Sequence, residues 1–181
     1  MNLPNRLTML RIIMIPFFVA FMLNIPGHPS FRWVSLAIFC AASVTDTLDG
    51  MIARKYNLIT DFGKFMDPLA DKLLVTSALI CLTSLGELPA WVTIIIVARE
   101  FAISGFRLVA ADNGIVIAAS MWGKFKTVSQ MVMVILMLAG FELSWYRVLT
   151  QVVMWAAVIL TVVSLIDYIV KNKAVLGASD K

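Results

Sequence analysis

The feature that most constrains this chain is a group of four aspartates close together in an otherwise strongly apolar sequence. They lie in two segments, D-T-L-D-G-M-I-A-R starting at Asp46 and G-K-F-M-D-P-L-A-D ending at Asp71. A helix turns by 100° per residue, so residues three, four, seven or eight positions apart share one stripe. Two facing helices would therefore gather four carboxylates beside small residues that leave an open space. The two stripes consist of Asp46, Asp49, Gly50 and Ala53, and of Gly63, Asp67 and Asp71.

Four ionised aspartates at close range repel one another, and burial within a membrane raises the cost. Cations offset that cost, and oxygen ligands without a nearby His or Cys suit hard ions such as Mg²⁺ or Mn²⁺. Paired metal ions recur in displacement reactions at phosphorus. The pattern therefore predicts a site for two divalent cations and a phosphate-containing substrate. The predicted metal ligands are Asp46, Asp49, Asp67 and Asp71.

A simpler interpretation makes the same aspartates helix caps and ion-pair partners of nearby cations. The available partners are Arg54, Lys64 and Lys72. Capping accounts for one or two acids at a helix end. It does not account for four acids on two stripes with small residues between them, so we favour the metal site.

The rest of the chain is typical of a membrane protein. Apolar residues make up 61% of its 181 residues and charged residues 14%, against about 25% charged in a typical soluble domain. We predict an all-α integral membrane protein, one domain over residues 1–181, with a short N-terminal interfacial helix that carries Arg6 and Arg11. Because proline is harmless only in the first turn of a helix, Pro68 predicts that the third span begins near Lys64 or Phe65. The six predicted transmembrane helices are Leu7–Ile25, Phe31–Ala53, Phe65–Leu85, Leu88–Ala111, Ser120–Phe141 and Ser144–Val170.

The basic residues predict the orientation. If the N-terminus is cytoplasmic, only Arg32 and Arg147 of the 15 Lys and Arg residues fall on the far side, which follows the positive-inside rule. The aspartates then lie at the cytoplasmic end of the bundle, where a substrate made in the cytosol arrives. The net charge of +4 indicates membrane orientation and anion binding. It does not indicate nucleic-acid binding, because no basic patch is interleaved with aromatic residues.

The aspartate segments resemble the signature of the CDP-alcohol phosphotransferases, D-x2-D-G-x2-A-R-x8-G-x3-D-x3-D. All eight defining positions are present between Asp46 and Asp71. Further stretches resemble the branch of that family that makes phosphatidylglycerophosphate from CDP-diacylglycerol and glycerol 3-phosphate. These stretches are L-P-N-x-L-T-x-x-R from Leu3 to Arg11, the segment from Ala98-Arg99-Glu100 to Arg107, and G-K-F-K-T from Gly123 to Thr127.

The resemblance implies roles for individual residues. Asp71 would be the catalytic base, and the four aspartates would hold two Mg²⁺ or Mn²⁺ ions. Gly50, Ala53 and Gly63 would form the floor of the nucleotide pocket, although the pattern alone fits close helix packing equally well. Arg54 would contact a phosphate or only anchor its helix at the membrane surface. The resemblance also implies a homodimer in the bacterial cytoplasmic (inner) membrane, with membrane lipids as its surroundings.

A second cluster, of cations, is predicted to bind the phosphate of the acceptor. Arg99 and Arg107 are eight residues apart on one face of the fourth helix, and buried arginines suit bidentate phosphate binding. Lys124 and Lys126 point about 200° apart on an ideal helix, so we expect one of them to face the pocket and favour Lys124. The alternative for Arg99 is an ion pair with Glu100 or extension toward the interface.

Two other functions remain open at this point. Within the family, a cardiolipin synthase would use phosphatidylglycerol as the acceptor, whereas the cation cluster favours a small phosphorylated alcohol. A divalent-cation transporter would also place aspartates within a membrane. The acids at one end of the bundle, the lack of a visible inverted repeat and the cation cluster all disfavour a transporter.

Overall fold

The computed structural model describes residues 3–55, 61–112 and 120–172. Within those ranges it leaves out the side chains of residues 3–4, 47, 49–50, 52–55, 61–65, 67–68 and 112. The described residues form six α-helices and no strands, so the all-α prediction is confirmed for that part of the chain. The helices are α1 (Leu3–Leu23), α2 (Phe31–Lys55), α3 (Asp61–Ser84), α4 (Ala90–Asp112), α5 (Met121–Ala139) and α6 (Ser144–Lys171).

The predicted separate interfacial helix at the N-terminus is wrong. Residues Leu3–Leu23 form one continuous helix with Pro16 in its interior. No helix-breaking residue separates the basic first turns from the apolar run that follows. Arg11 does not extend toward lipid headgroups, because its side chain is fully buried within the protein.

The predicted start of the third helix is also wrong. Helix α3 begins at Asp61, so Pro68 lies about two turns inside it. A proline inside a helix leaves a backbone carbonyl without its usual partner. In membrane helices, neighbouring groups and local backbone adjustments satisfy that carbonyl. Pro16 in α1 is accommodated within a helix in the same way.

The chain divides into two compact units. Unit 1 comprises Met1–Leu88 and Val134–Gly140, and unit 2 comprises Pro89–Met133 and Phe141–Lys181. The prediction of a single domain stays a prediction.

Unit 1 is built around α1, α2 and α3. Helices α1 and α2 run antiparallel, because the ring of Phe18 lies 5.9 Å from that of Phe39 and the ring of Phe21 lies 5.0 Å from that of Phe31. Phe18 and Phe39 are completely buried. Ala42 is completely buried as well. Its small side chain allows neighbouring helices to approach closely, as is common in membrane proteins.

At one end of unit 1, Arg32 at the start of α2 connects α2 to the turn after α3 and to α5. Its guanidinium donates to the Met137 carbonyl at 2.9 Å and to a carboxylate oxygen of Glu87 at 3.3 Å. Two turns with left-handed backbone surround this contact. Gly86 (φ 74°) follows α3 and Gly140 (φ 56°) follows α5, and such φ values favour glycine at the end of a helix.

In unit 2, α4 and α6 run parallel. Trp91 lies 5.4 Å from Trp155 and Phe106 lies 5.4 Å from Tyr168, so both helices advance in the same direction along their contact. The first part of α5 joins this pair through a buried hydrogen bond from Gln130 of α5 to Thr161 of α6, at 3.1 Å. This bond satisfies two polar side chains that would otherwise be costly to bury.

The surface of the described helices is strongly apolar, which is consistent with a membrane protein. Two of these helices are long and apolar enough to cross a membrane, Asn5–Leu23 and Ser144–Lys171. Large apolar side chains also lie exposed along the other helices, for example Phe101 and Leu108 on α4. Extensive exposed apolar surface is unusual for a soluble monomer and is expected where lipid is the solvent.

Candidate active site

Helices α2 and α3 place the two aspartate stripes at a similar position along the helix axes of unit 1. The two helices are in contact, and the pair formed by Arg32 and Glu87 fixes their register at one end. Asp46 lies roughly four helical turns beyond Arg32, and Asp71 lies roughly four turns before Glu87. The described carboxylates of Asp46 and Asp71 are both half-buried. The antiparallel helices therefore place them at a similar depth.

Asp46 has a buried partner that the sequence did not reveal. The Nη1 atom of Arg11 lies 2.7 Å from Oδ1 of Asp46, with the arginine side chain 0% exposed and the aspartate side chain 30% exposed. A buried cation without a counter-charge is strongly destabilising. Arg11 therefore fixes the orientation of Asp46 and joins α1 to α2 beside the acid stripe. A single arginine inside an apolar run was the signal that could have indicated a buried partner.

The remaining residues predicted in unit 1 lie within α2 or α3, but their side chains are outside the described part of the structure. They are Asp49, Gly50, Ala53, Arg54, Gly63 and Asp67. Among the described residues no three His, Cys, Asp or Glu side chains form a metal-binding group. The two described carboxylates supply hard oxygen donors on contacting helices, and this donor chemistry fits Mg²⁺ or Mn²⁺. The ligand set stays a prediction.

The cation cluster of unit 2 contains one acid shared by two cations. Lys126, which is 2% exposed, forms an ion pair with Glu100, and Nη1 of Arg99 lies 3.7 Å from the same carboxylate oxygen. Arg99 also donates a hydrogen bond to the hydroxyl of Ser164 on α6. The contact between Arg99 and Glu100 is the one considered above as an alternative to phosphate binding.

The other two candidate cations are more accessible. Lys124 is exposed, whereas Lys126 is buried, so the 200° separation expected between them is reflected in their surroundings. Arg107 is exposed, with its guanidinium carbon 5.7 Å from the centre of the Tyr168 ring. Unit 2 thus presents Arg107 and Lys124 outward and holds Arg99 and Lys126 inside. Which of the four bind phosphate stays a prediction.

Ser164 and Tyr168 were not assigned a role from the sequence, and Glu100 was considered only as a partner of Arg99. Glu100 balances Lys126, Ser164 holds Arg99, and Tyr168 lies under Arg107. Ser164 and Tyr168 are one helical turn apart on α6, in a mainly apolar segment that also contains Thr161 and Asp167. Polar residues at i and i+4 in such a segment share one face, and that spacing was the available signal.

Comparison with known proteins identifies the family. Residues 1–163 match the CDP-alcohol phosphatidyltransferase family. A relative from Bacillus subtilis, named CDP-diacylglycerol–glycerol-3-phosphate 3-phosphatidyltransferase, is 46% identical across 99% of both chains. A Mycobacterium tuberculosis protein named probable phosphatidylglycerophosphate synthase is 45% identical over 97% of this chain and 84% of its own length.

A third relative extends the same result. The Haemophilus influenzae protein named CDP-diacylglycerol–glycerol-3-phosphate 3-phosphatidyltransferase is 40% identical over 93% of this chain and 91% of its own. The resemblance predicted from the aspartate signature is confirmed by a match that covers nearly the whole chain. The chain belongs to the CDP-alcohol phosphatidyltransferase family.

Proposed function

We propose that this protein is a membrane enzyme that transfers the phosphatidyl group of CDP-diacylglycerol to sn-glycerol 3-phosphate. The products are phosphatidylglycerophosphate and CMP. The observation that carries the proposal is the near-complete coverage of relatives named for this reaction, at 40–46% identity in bacteria as different as Bacillus and Haemophilus. The acid stripes of unit 1 and the cation cluster of unit 2 supply the two kinds of group that the reaction requires.

Unit 1 provides the groups for the donor and for proton removal. Asp46, Asp49, Asp67 and Asp71 would hold two divalent cations, which polarise a pyrophosphate and stabilise CMP as leaving group when bound. Arg11 holds the Asp46 carboxylate by one oxygen. Asp71 accepts the proton of the acceptor hydroxyl as that oxygen attacks the phosphorus attached to the lipid. The bond from that phosphorus to the oxygen of CMP then breaks.

The nucleotide lies against the small residues of the motif, where a larger side chain would collide with the base or ribose. Gly50, Ala53 and Gly63 form that surface, and Arg54 contacts a phosphate. The cations of unit 2 bind the phosphate of glycerol 3-phosphate and orient its hydroxyl. Positioning of this kind lowers the barrier because the reacting atoms no longer have to be brought together during the reaction.

The proposal includes six membrane spans in the bacterial cytoplasmic membrane, with the N-terminus and the active-site end toward the cytoplasm. The 13 basic residues predicted on the cytoplasmic side support this orientation. The functional unit is a homodimer, as the family resemblance implies.

Release of CMP tests the proposed reaction. Purified protein in detergent receives CDP-diacylglycerol, Mg²⁺ or Mn²⁺, and one of three alcohols: glycerol 3-phosphate, glycerol or phosphatidylglycerol. We expect rapid release with glycerol 3-phosphate, little with the other two, and none in excess chelator. Preference for phosphatidylglycerol would identify a cardiolipin synthase. Metal uptake into proteoliposomes without any CMP release would identify a transporter.

A further inference from the structure

Two buried hydrogen-bond donors on facing helices of unit 2 have no partner within the described residues, Nε of Arg99 on α4 and the hydroxyl of Tyr168 on α6. One buried acceptor of unit 2, Oδ2 of Asp167, also has none. The Arg99 side chain is 10% exposed and Tyr168 is 3% exposed. Nearly all buried polar groups in proteins are paired, so two unused groups beside the same cation cluster indicate a ligand that completes them.

The Tyr168 ring is held firmly, which gives its hydroxyl a defined position. Phe106 packs edge-on against the ring at 5.4 Å, and the Arg107 guanidinium carbon lies 5.7 Å from the ring centre. A cation over an aromatic face is attracted to its π electrons. These two contacts fix the position of the ring, and the hydroxyl is fixed with it.

The charges around Tyr168 favour an anion. Arg99 and Arg107 carry like charges and disfavour each other. Asp167, the neighbouring acid, forms an ion pair with Lys171 at 2.7 Å, which offsets its charge. A group that carries negative charge and accepts several hydrogen bonds, such as a phosphate monoester, would relieve the repulsion and use the unpaired donors.

We propose that Tyr168 determines specificity for a phosphorylated acceptor, with its hydroxyl donating a hydrogen bond to the acceptor's phosphate between Arg99 and Arg107. This assignment rests on the proposed function and adds a neutral donor to its cations. Ser164 supports the arrangement because it holds Arg99 from α6, one turn away from Tyr168. An acceptor without a phosphate leaves the hydroxyl unpaired.

The test replaces Tyr168 by phenylalanine, which keeps the ring and removes only the hydroxyl. The matched control is Tyr146→Phe, since Tyr146 is also buried on α6 but lies near its other end. For Tyr168→Phe, we expect KM for glycerol 3-phosphate to rise about tenfold or more, as for a lost hydrogen bond to a charged group. KM for CDP-diacylglycerol should be unchanged, and so should both constants of Tyr146→Phe. Binding of glycerol 3-phosphate, measured by calorimetry, should weaken in parallel.

The outcomes separate this proposal from the proposed function. If the wild type uses glycerol 3-phosphate but Tyr168→Phe keeps its KM, the Tyr168 assignment is overturned and the function stands. An equal rise in both KM values would show a structural role and also overturn the assignment. If the wild type releases no CMP with glycerol 3-phosphate, the function fails and the role of Tyr168 fails with it.

Discussion

The candidate residues of the two units carry mainly opposite charges, and the described residues show an oppositely charged partner in each. In unit 1 the fully buried Arg11 pairs with the half-buried Asp46. In unit 2 Glu100, which is 20% exposed, pairs with the buried Lys126 and lies 3.7 Å from Arg99. Arg11 orients the carboxylate of Asp46, the acid that it contacts. Glu100 instead neutralises part of its cluster. The comparison indicates that each cluster is positioned by a group of opposite sign, through an orienting contact in unit 1 and through partial neutralisation in unit 2.

The largest expected effect comes from removing the proposed base in unit 1. Asp71→Asn keeps the size of the side chain but cannot accept the hydroxyl proton. We expect kcat to fall by about 10² to 10⁴-fold, with both KM values close to those of the wild type, measured by CMP release. Glu142→Gln, at an exposed acid, is the control and should retain full activity. A kcat for Asp71→Asn within twofold of the wild type would move the base to another group.

Removing the negative charge of Glu100 in unit 2 should lower the stability of the protein more than its kcat. Glu100→Gln leaves Lys126 buried without a full negative partner. Loss of one partner of a buried pair costs about 3 kcal/mol, the lower end of the usual range, because Glu100 is partly exposed. The thermal unfolding temperature in detergent should therefore fall by several degrees. The double variant Glu100→Gln/Lys126→Met should recover most of that loss. An unchanged unfolding temperature in the single variant would mean that the pair contributes little.

Replacing the exposed Arg107 of unit 2 should change the KM of one substrate and leave that of the other. Arg107→Ala should raise KM for glycerol 3-phosphate roughly 10- to 150-fold and leave KM for CDP-diacylglycerol unchanged. Arg107→Lys should recover only part, because an ammonium cannot form the bidentate contact of a guanidinium. Arg147→Ala, at an exposed arginine near the other end of α6, is the control. A rise confined to the CDP-lipid KM would assign Arg107 to the donor.

The smallest effect should come from the Arg32 end of unit 1, away from the acids. At Gly140, φ is 56° and an added Cβ would lie 2.9 Å from Cζ of Arg32. A Cβ at positive φ costs about 1–2 kcal/mol, and Gly140→Ala should destabilise the protein by more than that because Arg32 must also move, without changing kcat or either KM. Gly86→Ala is the matched control, because Gly86 also has positive φ but an added Cβ would meet nothing within 4 Å. Equal unfolding temperatures for the two variants would remove Arg32 from the explanation.

The sequence predicted the parts of the fold that depend on local pattern. The apolar segments gave six helices whose ends agree within a few residues, apart from α1 and α3. The start of α1 was misplaced because the basic first turns and the apolar run were expected to form separate helices, whereas they form one. The start of α3 was misplaced because Pro68 was treated as a first-turn residue. Proline tolerance inside a membrane helix depends on neighbouring groups that a sequence does not display.

In the candidate site, too, the features that follow from local pattern were predicted and those that depend on distant contacts were not. Spacing identified the acid stripes and the face shared by Arg99 and Arg107, since both follow from helical periodicity. The partners Arg11, Glu100 and Tyr168 depend on contacts between helices distant in sequence, and periodicity alone cannot pair them. The preference for Lys124 over Lys126 came from helix direction. The buried Lys126 shows that burial is decided by a neighbouring helix, here through Glu100 on α4.

The Arg32 contact has a mechanical consequence for unit 1. It ties the start of α2 to the turn after α3 and to a carbonyl of α5, so three chain segments are fastened together there. Separation of α2 from α3 at this end would require these contacts of Arg32 to break together, so the end of the pair opposite the aspartates resists opening as one unit.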